Sequence, residues 1–115
     1  MIRYVSFGLS LPTGSYGSWT QLPVLGSGGL NEFVIDQDGI ELTGLSGYNS
    51  SEWANIRMMI NDKHAITIST SFLESFGHLL ILAIPLERGD RIRILTTTSD
   101  TNMYVSAMIQ LIERR

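Results

Sequence analysis

The sequence predicts an all-β sandwich, and three observations carry that expectation. Gly, Asn, Asp and Ser punctuate the chain about every ten residues. Short runs rich in β-branched and aromatic residues lie between those signals. No helical apolar period of useful length interrupts them; Ile66–Leu79 could be threaded as a helix, but its Thr67-Ile68-Ser69-Thr70-Ser71 content favours strand. At 115 residues and 43% hydrophobic content, residues 1–115 fit one compact domain with a packed core.

Nine strands are expected: Arg3–Ser10, Trp19–Leu25, Glu32–Asp36, Gly39–Tyr48, Ala54–Asn61, Ala65–Thr70, His78–Leu86, Asp90–Thr98 and Met103–Ile112. The turn segments between them are Pro12–Gly17, Gly26–Gly29, Gln37-Asp38-Gly39, Asn49–Glu52, Asn61-Asp62-Lys63 and Thr98–Asn102. Alternation then assigns faces. Ile56, Met58 and Ile60 oppose Asn55, Arg57 and Asn61, with Met59 the exception, and Ile92 and Ile94 oppose Arg91 and Arg93. Such strands have one wet face and belong to an outer sheet.

Two strands break that pattern. After His78, the strand His78–Leu86 carries no polar residue, so both of its faces are expected to be covered. In Met103–Ile112 the odd positions make an apolar face, whereas Tyr104, Ser106, Met108, Gln110 and Ile112 make a mixed one of the kind found at subunit contacts. A second copy of the chain is the expected cover, with Leu80, Leu82, Tyr104 and Met108 at the contact and Gly39–Tyr48 as a further contributor. The alternative is that the mixed face packs under a loop of the same chain.

Composition narrows the function classes. A net charge of -3 and a pI near 5.2 argue against a phosphate-backbone binder, and the clusters Arg88/Arg91/Arg93 and Arg114/Arg115 are too small to overturn that. The lack of cysteine excludes disulfides and thiolate-bound zinc. No apolar run approaches the roughly 20 residues that span a bilayer as a helix. The first residues read as neither signal nor transit peptide, so synthesis in a host cytoplasm is expected.

Chemistry is sparse. His64 and His78 lack a second ligand at metal spacing. No Gly-x-Ser-x-Gly elbow is present, and Gly26-Ser27-Gly28-Gly29 lacks the lysine of a phosphate-binding loop. Asp36 and Asp38 flank a turn where a calcium ion could sit, though ordinary turn chemistry is the expected role. No cofactor is expected, and the chain reads as a non-enzyme. The candidate recognition residues are Tyr16, Trp19, Tyr48 and Trp53, since rings beside Asn and Ser suit sugar or protein contacts. Capping the sandwich core is the competing role, above all for Trp19 and Trp53.

The order of features resembles the compact jelly roll of the C1q/tumour-necrosis-factor-like superfamily. Phe33-Val34-Ile35-Asp36 followed by Asp38-Gly39-Ile40 is similar to its F-x-x-P-x-x-G-x-Y step, and Leu86–Ile92 (LERGDRI) to its L-x-x-G-D-x-V turn. Met103–Ile112 resembles its closing strand, which lies near a trimer axis. Ile40 replaces the family's aromatic residue, the proline is absent, and the N-terminal third matches loosely. The resemblance implies a jelly roll of about eight to ten antiparallel strands and a homotrimer. With no collagen-like or heptad stalk in the sequence, it points to a bacteriophage virion protein: a spike, fibre head or decoration protein. Its partners would be other virion proteins and a host-surface glycan or protein. A free carbohydrate-binding module or lectin is the alternative.

Overall fold

The computed structural model describes residues 2–11, 19–49, 54–70, 79–98 and 103–114. Among them, nine strands form two antiparallel sheets. The first sheet runs β1 (Ile2–Leu11), β9 (Met103–Glu113), β4 (Ile40–Asn49), β7 (Leu80–Leu86). The second runs β2 (Thr20–Gln21), β8 (Arg91–Thr98), β5 (Ala54–Ile60), β6 (Lys63–Ser69), and β3 (Phe33–Val34) also pairs with β8. The all-β sandwich expected from the sequence is therefore the architecture found, and the strand bounds differ chiefly at β2 and β3, which are two-residue pairings rather than full strands.

Alternation builds the core. Val5 and Phe7 of β1 and Val105, Ala107, Ile109 and Leu111 of β9 turn inward from the first sheet. They meet Ile56 and Met58 of β5 and Ile92 and Ile94 of β8 from the second, and all ten are buried. β4 keeps its inward face across a register shift between Leu42 and Gly44, so Ile40 and Leu42 before it and Leu45 after it are all buried. An extra residue in one strand changes the parity of the side chains that follow. A second shift between Met58 and Met59 alters the pairing with β6, while Met59 stays opposite Arg93 on the outward face, half-buried.

One side of the sandwich is closed by the chain between β2 and residue 25. Leu22 N–H donates to the Ile94 carbonyl at 2.8 Å, whereas Gly8 N–H donates to Pro23 at 3.0 Å and Leu25 N–H to Ser6 at 2.8 Å. The segment thus passes from the edge of one sheet to the edge of the other, and buries Leu22 on the way. On the other side, β7 and β6 terminate their sheets.

Turn chemistry follows the residues. Asn61 and Asp62 both adopt positive φ (53° and 65°), the pattern of a tight hairpin turn between β5 and β6. Gly39 has φ +76°, accepts from Arg114 N–H through its carbonyl at 2.6 Å, and offers no room, since a Cβ would lie 2.8 Å from the Arg114 carbonyl oxygen. Gly39→Ala is therefore expected to lower stability by about 1–3 kcal/mol. The readout is the urea midpoint at unchanged slope; an unmoved midpoint would mean that the β4 entry relaxes freely.

Candidate interaction surfaces

The outward face of the first sheet is apolar where solvent would favour charge. Tyr4, Gln110, Gly44 and Ile81 lie in one row across all four strands. Ile2 is 56% exposed, Tyr4 58%, Tyr48 57% and Ile81 79%, all on the outward face, with Gln110 and Gly44 between Tyr4 and Ile81. Ile112 is half-buried between Ile2 and Glu41 in the neighbouring row, and the Glu41 carboxylate is ion-paired to Arg114 at 2.5 Å. A groove of about 420 Å³ crosses this face, lined by Tyr48, Tyr104, Met108 and three serines, Ser6, Ser46 and Ser106. Gly8 helps shape it: the Tyr104 hydroxyl occupies the space a Cβ would need there.

The structure thus brings together Tyr104 and Met108, expected at a subunit contact, with Tyr48, expected in a recognition loop. Leu80 and Leu82 turn the other way, packing against the chain's own core with Ile84. The outward residues of β7 are Ile81, Ala83 and Pro85. The expectation that β7 is covered on both faces is not met within the chain itself, since Ile81 stands open beside Leu79, which shields Gly44. Tyr16 and Trp53 lie outside the described residues. Sequence reasoning missed Ile2, Tyr4 and Ile81. The even positions of β1 signal the first two, but nothing in the uninterrupted apolar run of β7 distinguishes Ile81 from Leu80.

The outward face of the second sheet is polar. Gln21, Leu95, Arg57 and Thr67 form a row across β2, β8, β5 and β6. The Arg57 guanidinium lies over the Trp19 ring, 4.0 Å from its centroid, and its Nε donates to Thr67 Oγ1 at 3.5 Å. His64 Nε2 and Thr67 Oγ1 are 2.7 Å apart, and Asn55 Nδ2 donates to Thr97 Oγ1 at 3.4 Å. Nearby, Arg93 and Arg91 share Asp62 (2.8 and 2.9 Å), and Arg91 also reaches Glu32 at 3.8 Å. Arg57 pairs with no carboxylate among the described residues. Trp19 keeps 36% of its surface exposed, so it neither seals the core nor stands free in a loop.

At one end of the sandwich Asp90 ties two turns together. Its carboxylate accepts from Asn61 Nδ2 at 2.9 Å and from Glu87 N–H at 2.8 Å, and these bonds, the Asn61 one foremost, hold its pKa below the ordinary 3.8. A depressed carboxylate pKa contributes stability that is complete above the unfolded value and disappears as pH falls through the folded one. The wild-type chain is therefore expected to lose stability as pH falls below about 3.8 by more than Asp90→Asn does. Matching acid-unfolding curves for the two would remove Asp90 from that role.

Asp36 is ion-paired to Arg3 at 3.3 Å, and Asp38 accepts from Arg88 N–H at 3.0 Å. Both carboxylates do structural work in their turns. Among the described residues, no group of three His, Asp or Glu stands together as a metal site, and no helix is long and apolar enough to cross a membrane. No protein-family model matches the chain, and no curated protein matches it either.

Proposed function

We propose that this chain is a non-enzymatic structural protein of a virus particle, of the bacteriophage type. It assembles as a homotrimer through the outward face of the first sheet, and serves as a spike, fibre head or capsid-decorating component of the virion. The observation that carries the reading is the exposed Ile2, Tyr4, Tyr48 and Ile81 on one uncovered sheet face. Such a face is suited to a symmetric contact, where apolar surface leaves water without stranding a charge. Its one ion pair, Glu41–Arg114, is internally neutral. The interleaved strand order, with β1 beside β9 in one sheet and β5 beside β6 in the other, supports the jelly roll and the C1q/tumour-necrosis-factor-like resemblance. Three-fold presentation of the opposite faces to a host-surface glycan or protein then adds weak contacts through avidity.

The test is the mass of the particle by native mass spectrometry and light scattering. Three times the 12.8 kDa chain mass is expected, and a monomer at micromolar concentration would overturn the assembly. A free carbohydrate-binding module is the second reading, favoured by the serine- and tyrosine-lined groove on the same sheet face. In that case the monomer binds neutral glycans and Tyr48→Ala abolishes the signal.

A further inference from the structure

We infer that the outward face of the second sheet carries a subsite for an acidic saccharide, in which Arg57 takes the carboxylate and Trp19 the sugar ring. The inference deepens the receptor-binding part of the proposed function, and it depends on the second sheet facing away from the trimer axis.

A guanidinium on a sheet face ordinarily finds a carboxylate, as Arg91 and Arg93 do with Asp62, and Arg3 with Asp36. Arg57 instead places its head over the Trp19 ring at 4.0 Å, with its Nε donating to Thr67 Oγ1 at 3.5 Å. Stacking on an indole fixes the plane of the guanidinium without consuming its terminal N–H donors. A planar fork held in place, with no carboxylate partner among the described residues, is suited to bidentate carboxylate binding. Charge therefore selects an anion in a chain whose net charge is -3.

The surroundings select the rest of the ligand. Around Arg57 stand the exposed Thr67 hydroxyl on β6 and the half-buried Asn55 amide on its own strand, β5. Those groups offer donors and acceptors to ring hydroxyls, and the partly exposed indole offers an apolar surface to the C–H side of a pyranose. The row containing Arg57 ends on the edge strand β6, where an extended acidic peptide could also pair, so a peptide is the competing occupant and tetraglutamate is its probe. A carboxylated sugar fits the row; a phosphate-rich polymer does not, because the flanking Arg91 and Arg93 are already neutralised by Glu32 and Asp62.

The test uses the whole chain and two acidic probes, tetragalacturonate and sialyllactose, with methyl-esterified tetragalacturonate and lactose as their neutral counterparts. Calorimetry measures affinity, and the Trp19 indole N–H is followed by NMR. At least one acid is expected to bind about tenfold or more tightly than its neutral counterpart, with a shift of the Trp19 signal. Arg57→Lys, which keeps the charge and loses the fork, is expected to weaken that binding about tenfold, and Trp19→Ala to weaken it similarly. Both variants should retain the wild-type particle mass. The inference is overturned if neither acid surpasses its neutral counterpart, if Arg57→Lys binds as wild type does, or if tetraglutamate binds as tightly as the sugars. A trimer that binds no acidic sugar removes this subsite and leaves the assembly intact, whereas a monomer that binds one does the reverse.

Discussion

Ile81→Asp is expected to convert the trimer into monomers of 12.8 kDa while leaving the fold in place. Ile81 is 79% exposed near the start of β7, so its side chain contributes little to the core and its replacement opens no cavity. In the proposed trimer the same position would be repeated three times around one axis. Three carboxylates would be stripped of water with no free cation on that face among the described residues, since Arg114 is held by Glu41. Leaving a charge buried and unpaired costs several kcal/mol per site, more than a modest interface can absorb. Light scattering reads the result. Ala65→Asp, an equally small change at an exposed position of β6 in the other sheet, should leave the trimer whole. Tyr104→Asp should also dissociate it, but with a confounding effect, because Tyr104 shields Gly8 and lines the groove. A trimer that survives Ile81→Asp would place the contact elsewhere.

Phe7→Ala is the second large effect, on stability rather than assembly. Phe7 is fully buried, lies opposite Ala107 of β9, and forms an isolated bridge with Val24 where the closing segment reaches β1. Its ring sits where two sheets and the segment joining them converge, so collapse around a cavity would require all three to move. Loss of a buried phenyl group costs about 3–5 kcal/mol. That is a large share of the 5–15 kcal/mol that holds a typical domain. The urea midpoint should fall accordingly, and Phe7→Leu should recover most of the loss. A change below about 1 kcal/mol would show that the junction repacks without the ring.

The legibility of the chain varied with local pattern. β9 was plainly readable, because its apolar and mixed positions alternate without interruption and the structure buries Val105, Ala107, Ile109 and Leu111. β5 and β8 were equally plain, with Arg57, Arg91 and Arg93 marking their outward sides. β7 was readable as a strand but not as a face: in a run where every residue is apolar, alternation gives no contrast, and Leu80 and Leu82 were assigned outward when the pairing with β4 turns them in. Tyr48 was recognised as exposed without any sign that Tyr104 and Met108 would lie beside it. The neighbouring strands β4 and β9 are far apart in the chain, and only their register, Tyr48 opposite Ser106, joins them.

Legible in the residues alone were the all-β class, most strand bounds, the turns at Gly39, Asn61-Asp62 and Gly89, and the inward residues of β5, β8 and β9. These are local properties, set by side-chain period and by which residues tolerate positive φ. The tertiary structure alone decided which strands became neighbours. It set β7 at an edge with Ile81 outward, shifted the parity of β4 between Leu42 and Gly44, and brought Trp19 under Arg57. Sheet order and register arise from long-range pairing of strands that carry no local mark of their partners, so the surfaces built across strands could be seen only once the sheets had formed.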